Sequence, residues 1–180
     1  MADYSMHETR ATSRREARAI EFDVVCNAIA YWLSLIGVYF TVGYIMWMGA
    51  AEKLFAGAVK MPPVVAKPFA ATWVARFPGL DVLWGVIGVV ELVIALVILA
   101  SIVTGEFLPS HHKSLLQVAL GLSLLLFSFL SFGQTITQNF AGALGQYTYF
   151  GVTILMMALV RAMPPNRSPR WLTSDPSSMV

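Results

Sequence analysis

The sequence predicts an all-α integral membrane protein, a four-helix bundle with up-down-up-down topology. Four apolar stretches, at residues 30–51, 82–103, 114–133 and 141–160, each approach the ~20 residues that a helix needs to cross a hydrocarbon core. The chain has 12 Lys and Arg and 10 Asp and Glu, yet only Glu91 among them falls inside these stretches, and none of the 9 prolines does. Short connections between successive spans make neighbouring helices antiparallel.

The charge and cysteine content narrow the class of function. A net charge of +2, without a basic stripe interleaved with aromatic residues, excludes nucleic acid as a partner. The single cysteine, Cys26, excludes an intramolecular disulfide and a thiolate metal cluster. His111 and His112 are adjacent and cannot approach one haem iron from opposite sides, so we expect no metal site. The sequence also has no nucleophile paired with a base and no phosphate, flavin or nicotinamide motif, so an autonomous enzyme is not expected.

The distribution of Lys and Arg predicts a bacterial-type inner membrane protein with both termini in the cytoplasm. Basic residues in short loops accumulate on the cytoplasmic side. One side would carry Arg10, Arg14, Arg15, Arg18, Lys113, Arg161, Arg167 and Arg170, and the other side Lys53, Lys60, Lys67 and Arg76. The chain then divides into a cytoplasmic leader (1–27), a transmembrane domain (28–163) and a disordered, proline-rich cytoplasmic tail (164–180).

The leader and the first span are expected to be continuous. The first span is longer than the ~7–15 apolar residues of a cleaved signal, so it should remain as a membrane anchor. Ser13 and Glu16 have the spacing of a capping box, which predicts a short helix from about Arg14 into the span.

The longest connection, from residue 52 to residue 81, contains an aromatic stripe. Phe69, Trp73 and Phe77 recur at i, i+4 and i+8 after Pro68, a residue that is accepted in the first turn of a helix. This spacing predicts an amphipathic helix, flanked by basic residues. The helix either lies in the membrane interface or packs across the mouth of the bundle with its rings in the core. The three aromatic residues are also candidates for docking a protein partner.

Glu91 is the sharpest functional signal in the sequence. An ionised carboxylate on a lipid-facing helix costs at least about 2.5–3.5 kcal/mol, so Glu91 must face the bundle interior and find partners, or be protonated. Its functional interpretation is a proton relay, a substrate contact or a hydrogen-bond partner for a quinone. The alternative is a carboxyl group that only holds helices together.

Spacing alone leaves two alternatives for the partners of Glu91. Antiparallel packing would place Lys53, at the end of the first span, beside Asp81 at the start of the second. Glu91 lies ten residues further inward, which is about 15 Å at 1.5 Å per residue. A direct Lys53–Glu91 pair therefore requires the first helix to be shifted inward or extended, and otherwise Lys53 is an interface anchor. Hydroxyl groups closer in depth are the first expectation for satisfying Glu91: those of Tyr39, Tyr44, Ser123 and Ser128.

Aromatic and amide side chains gather at the same end of the bundle. Each alone is typical of the interfacial belt of membrane proteins. Together they would roof a pocket above Glu91 that suits a quinone headgroup. The candidates for this pocket are Glu91, Lys53, Tyr44, Trp47, Trp84 and Gln134, with Gln138, Gln146, Tyr147 and Tyr149 nearby.

Two motifs resemble those of a known family. The first span ends in MWMGAAEKLF (46–55), and the second contains IGVVELVIAL (87–96). A glycine followed by a lysine at the close of helix one, then an apolar helix with a central glutamate, resembles the DoxX-like superfamily of four-helix membrane proteins, and within it the branch of reactive-chlorine-resistance inner membrane proteins. Lys53 and Glu91 match the recurring polar positions of that family. Some of its members are subunits of a thiosulfate:quinone oxidoreductase, and others assemble with superoxide dismutase and a sulfurtransferase.

The resemblance and Glu91 together lead to an expected function. We expect a small membrane subunit of redox or oxidative-stress physiology that contacts lipid, acts with protein partners or as a homo-oligomer, and touches quinone near Glu91. The first alternative is a non-catalytic scaffold whose aromatic loop docks a partner. The second is a small-molecule or proton transporter, although the spans contain only one acid and no broken helix.

Overall fold

Helices are the only regular elements in the described part of the chain. The computed structural model describes residues 2–56, 59–76 and 79–164, with side chains described from residue 22 onward. Its α-helices are α1 (Ala2–Leu54), α2 (Pro63–Ala66), α3 (Leu80–Val103), α4 (Ser114–Ile136) and α5 (Phe140–Ala162). Two 3-10 turns, Lys67–Phe69 and Trp73–Ala75, follow α2. The predicted all-α class is confirmed.

Four helices are long and apolar enough to cross a membrane: Phe22–Leu54 of α1, and the whole of α3, α4 and α5. The four predicted spans are therefore confirmed by length and composition. Helix α1 begins at Ala2, earlier than the predicted start near Arg14. The side chains of the leader before residue 22 and the predicted disordered tail from residue 165 lie outside the described residues.

The chain divides into two compact units, Met1–Gly37 and Val38–Val180. The first unit consists of the N-terminal part of α1. The second contains the remainder of α1 with all the other described helices, and both Lys53 and Glu91 belong to it.

The second unit is an antiparallel bundle. Tyr39, near the start of its α1 segment, hydrogen-bonds Ser101 near the end of α3, whereas Lys53, near the end of that segment, contacts Glu91 earlier in α3. Helix α4 packs against both α3 and α5. Buried apolar residues recur every three or four positions, so each helix turns one stripe toward the core. These residues include Val42, Met46, Ala50, Ile94, Ile98, Leu116, Ala119 and Leu120.

A buried carboxylate organises the end of the bundle where α3 meets α4. Glu106 is 7% exposed, and its oxygens accept hydrogen bonds from the backbone N–H groups of Leu115 (2.8 Å) and Leu116 (3.0 Å) in the first turn of α4. Ser101 Oγ donates to the same carboxylate at 2.8 Å. An acid at a helix N-terminus satisfies unpaired amides and interacts favourably with the helix dipole. Glu106 therefore fixes the start of α4 against the end of α3.

Lys113 lies at the same end and is fully buried rather than solvated. Its Nζ donates to the carbonyl oxygens of Pro164 (2.6 Å) and His111 (3.2 Å). Burial lowers the pKa of Lys113, and the negative charge of Glu106 opposes this shift. His111 Nδ1 lies 3.0 Å from the carbonyl oxygen of Gly105, so this imidazole holds the turn between α3 and α4.

Replacing Glu106 by Ala is expected to lower the free energy of unfolding by about 1–2 kcal/mol, because two amides of α4 lose their acceptor. Thermal unfolding of the purified protein in detergent, followed by circular dichroism, measures this change. Glu52→Ala is the control, because Glu52 is an exposed acid at the end of α1. Equal stability of the two variants would contradict the capping role of Glu106.

Candidate functional site

The predicted membrane carboxylate forms an ion pair inside the bundle. Lys53 Nζ lies 3.1 Å from Glu91 Oε1, to which it donates a hydrogen bond, and 2.9 Å from Glu91 Oε2. The two side chains are only 10% and 9% exposed. Because both charges are removed from water, each must be compensated by the opposite charge and by the polar groups around it.

Two glycines make room for the pair. A Cβ atom at Gly49 of α1 would lie 2.7 Å from Glu91 Oε2, so the carboxylate rests directly on the glycine backbone. A Cβ atom at Gly88 of α3 would lie 2.8 Å from Lys53 Cβ and 3.0 Å from Leu54 Cγ. Small residues let membrane helices approach closely. The glycine on each helix therefore accommodates the charged side chain of the other.

The ammonium group of Lys53 has further partners. Nζ donates to the carbonyl oxygen of Gly49 at 3.2 Å and lies 4.8 Å from the ring centroid of Trp84. A cation over an indole face is attracted by the ring quadrupole. By contrast, Glu91 Oε2 is buried and receives no hydrogen bond from the described residues, although it lies within ion-pair distance of Nζ. The ammonium group therefore lies against both carboxylate oxygens of Glu91.

The expectation that hydroxyl groups satisfy Glu91 is wrong. Tyr39 bonds Ser101 at 2.7 Å, Ser123 donates to the carbonyl oxygen of Ala119, and Ser128 donates to that of Leu124. Lys53 pairs directly with Glu91 instead, as expected if the first helix is shifted inward or extended. Helix α1 extends to Leu54, and the contact of Gly49 with Glu91 places Lys53 within reach of the carboxylate.

The other predicted pocket residues lie in different surroundings. Tyr44 is 53% exposed and its ring stacks on Phe40, with centroids 5.6 Å apart. Trp47 is 50% exposed and its ring lies 6.5 Å from that of Phe55. Gln134 Oε1 accepts a hydrogen bond from Asn139 in the turn between α4 and α5. Of the six candidates, Lys53, Trp84 and Glu91 are thus brought together.

A groove opens elsewhere in the second unit. It encloses about 250 Å³ between α4 and α5, and its lining does not include Glu91. The lining residues are Phe127, Ser128, Phe132, Thr135, Tyr147 and Phe150. Tyr147, which was predicted to lie near the pocket above Glu91, therefore lines a space between α4 and α5.

The aromatic stripe of the first loop, residues 55–79, does not lie on one helix. The described part of the loop contains α2 and two separate 3-10 turns, so the stripe is interrupted between Phe69 and Trp73. Phe69 is 9% exposed, and a Cβ atom at Gly133 would contact its ring at 3.8 Å. Trp73 is 62% exposed. Phe69 thus packs on the bundle, whereas Trp73 is exposed. Phe77 lies outside the described residues.

Comparison of the chain with family models, with curated proteins and with solved structures finds no significant match. Among the described residues, no group of three or more His, Cys, Asp or Glu side chains could hold a metal ion.

Proposed function

We propose that this chain is a small inner-membrane subunit of a redox or oxidative-stress system, which acts with partner proteins and contacts a quinone headgroup at the Lys53–Glu91 pair. The observation that carries the proposal is a buried Lys–Glu ion pair within a bundle of helices long and apolar enough to span a membrane. Ionisable residues within membrane spans are costly and are typical of functional sites.

The chemistry of the pair suits both oxidation states of such a headgroup. An ammonium group donates hydrogen bonds and a carboxylate accepts them. Quinone carbonyl oxygens need donors, whereas quinol hydroxyl groups can donate to a carboxylate. The indole of Trp84 beside Lys53 adds an aromatic surface on which a planar ring can stack. The resemblance of the motifs around Lys53 and Glu91 to DoxX-like proteins supports the same assignment. The distribution of Lys and Arg between the loops supports the placement of both termini in the cytoplasm.

Replacing Glu91 tests this proposal. We expect Glu91→Gln and Glu91→Leu to lower quinone-linked electron flow in membrane vesicles by about tenfold, the factor for 1.4 kcal/mol of lost interaction. Survival of the producing cells under oxidative challenge should fall in parallel. Asp23→Asn, at an exposed acid of α1 far along the helix from Lys53, is the control and should leave both readouts unchanged. The amount of each variant in the membrane is measured alongside, and wild-type behaviour of both Glu91 variants would refute the quinone contact.

A second candidate function is a scaffold that docks a soluble partner through the first loop. The exposed indole of Trp73 favours it, because aromatic residues are enriched at protein interfaces. This function predicts that Trp73→Ala abolishes complex formation while Glu91→Gln is tolerated. Co-purification from native membranes in mild detergent distinguishes the two. A transporter is less favoured, because α3 is unbroken through Glu91.

A further inference from the structure

The first loop has a buried side and an exposed side. On the buried side, Met61, Phe69 and Val74 are each less than 10% exposed. The backbone N–H of Met61 donates to Asp81 Oδ1 at 2.9 Å, which ties the loop to the first turn of α3. These contacts give the loop a fixed orientation on the bundle. Its remaining side chains therefore form a defined outer surface.

That outer surface combines apolar and basic side chains. Val64 is 80% exposed and Trp73 is 62% exposed. Lys60, Lys67 and Arg76 are all exposed as well. Between Phe55 and Leu80 the sequence carries these three basic residues and no acidic residue. The two flanking acids are Glu52, at the end of α1, and Asp81, which accepts the Met61 hydrogen bond.

The position of the loop determines what this surface meets. It joins the ends of two helices that are able to span the membrane, so it lies at the level of the lipid headgroups. Indole rings prefer this level because one edge is polar and the ring is apolar. Basic side chains near an anionic membrane surface each contribute about fivefold in affinity.

We infer that the first loop binds anionic phospholipid headgroups through Lys60, Lys67 and Arg76, with Trp73 inserted among the headgroups beside them. The charge complementarity selects anionic over zwitterionic lipid. The apolar Val64 and Trp73 direct the loop to a membrane surface rather than to free phosphate. This interaction is independent of the Lys53–Glu91 site and would place anionic lipid around the mouth of the bundle above it.

Lipid selectivity of the purified full chain tests the inference. The protein is exposed to an equimolar mixture of phosphatidylglycerol and phosphatidylcholine, and bound lipids are counted by native mass spectrometry. Wild type should retain phosphatidylglycerol preferentially. The triple variant Lys60→Gln, Lys67→Gln, Arg76→Gln should lose at least about fivefold of this preference. The charge-preserving variant Lys60→Arg, Lys67→Arg, Arg76→Lys should keep it, and so should Arg161→Gln, which removes an exposed charge at the end of α5.

A second readout reports the position of Trp73. In liposomes, brominated phosphatidylglycerol should quench more indole fluorescence than brominated phosphatidylcholine, and the difference should disappear in Trp73→Phe. Unchanged lipid selectivity in the triple Gln variant would overturn the inference. Equal quenching by the two lipids would also overturn it, because Trp73 would then lie among lipids without any preference for the anionic headgroup.

Discussion

Removal of the Lys53 charge is expected to destabilise the protein by about 3–5 kcal/mol, because it leaves a buried carboxylate without its partner. In Lys53→Met the apolar stem is kept, so the loss reports the charge rather than the packing. Unfolding in detergent, followed by circular dichroism, measures the change. Lys67→Met, at an exposed lysine of the first loop, is the control and should change stability by no more than about 0.5 kcal/mol.

The double variant Lys53→Met, Glu91→Leu separates a structural role of the pair from a functional one. Replacing a buried ion pair by apolar residues of similar size is often neutral or stabilising. We therefore expect the double variant to recover most of the stability lost in Lys53→Met. It should nevertheless stay inactive in quinone-linked electron flow if the pair contacts the headgroup. A double variant no more stable than Lys53→Met would contradict the ion-pair geometry.

The membrane class and the need of Glu91 for a partner could be predicted from the sequence, because both follow from the distribution of charge along the chain. Apolar stretches of about 20 residues determine the spans. A single acid within one of them then requires a partner. Neither conclusion needs any knowledge of how the helices are aligned relative to one another.

The partner of Glu91 could not be predicted, because it depends on helix register. The prediction compared span ends and placed Asp81 beside the end of the first helix. In the structure α1 ends level with Gly88, since a Cβ there would meet Lys53 and Leu54. The first turns of α3 thus extend beyond the end of α1, and one Cβ at Gly85 would meet Val59 of the first loop. This offset of about two turns brings Lys53 to the depth of Glu91.

In the first loop, the regular spacing of the aromatic residues likewise did not predict where their side chains lie. An i, i+4, i+8 spacing places residues on one face only if the helix is continuous. Here the helical turns are short and separate, so Phe69 is buried while Trp73 is exposed.

Glu106 was missed because its role is tertiary: it lies outside α4 and accepts from amides nine and ten residues further along the chain.

Substitution of Gly88 by Ala is expected to destabilise the bundle by about 1–3 kcal/mol, because the added methyl group overpacks the contact between α1 and α3. The new carbon would lie 2.8 Å from Lys53 Cβ, whereas carbon atoms pack best at about 3.5–4.0 Å. Lys53 Cβ is bonded directly to its own backbone and cannot swing away. The helices must therefore separate, and the Lys53–Glu91 contact must lengthen.

Gly151→Ala is the matched control for this substitution. Both glycines lie within membrane-spanning helices, but nothing lies within 4 Å of a Cβ at Gly151. Alanine favours a helix over glycine by about 1 kcal/mol, so this variant should be neutral or more stable than wild type. The two substitutions are chemically identical and have opposite expected signs. If Gly88→Ala proved as stable as Gly151→Ala, α1 and α3 could not approach as closely as described, and Lys53 would no longer be positioned to neutralise Glu91.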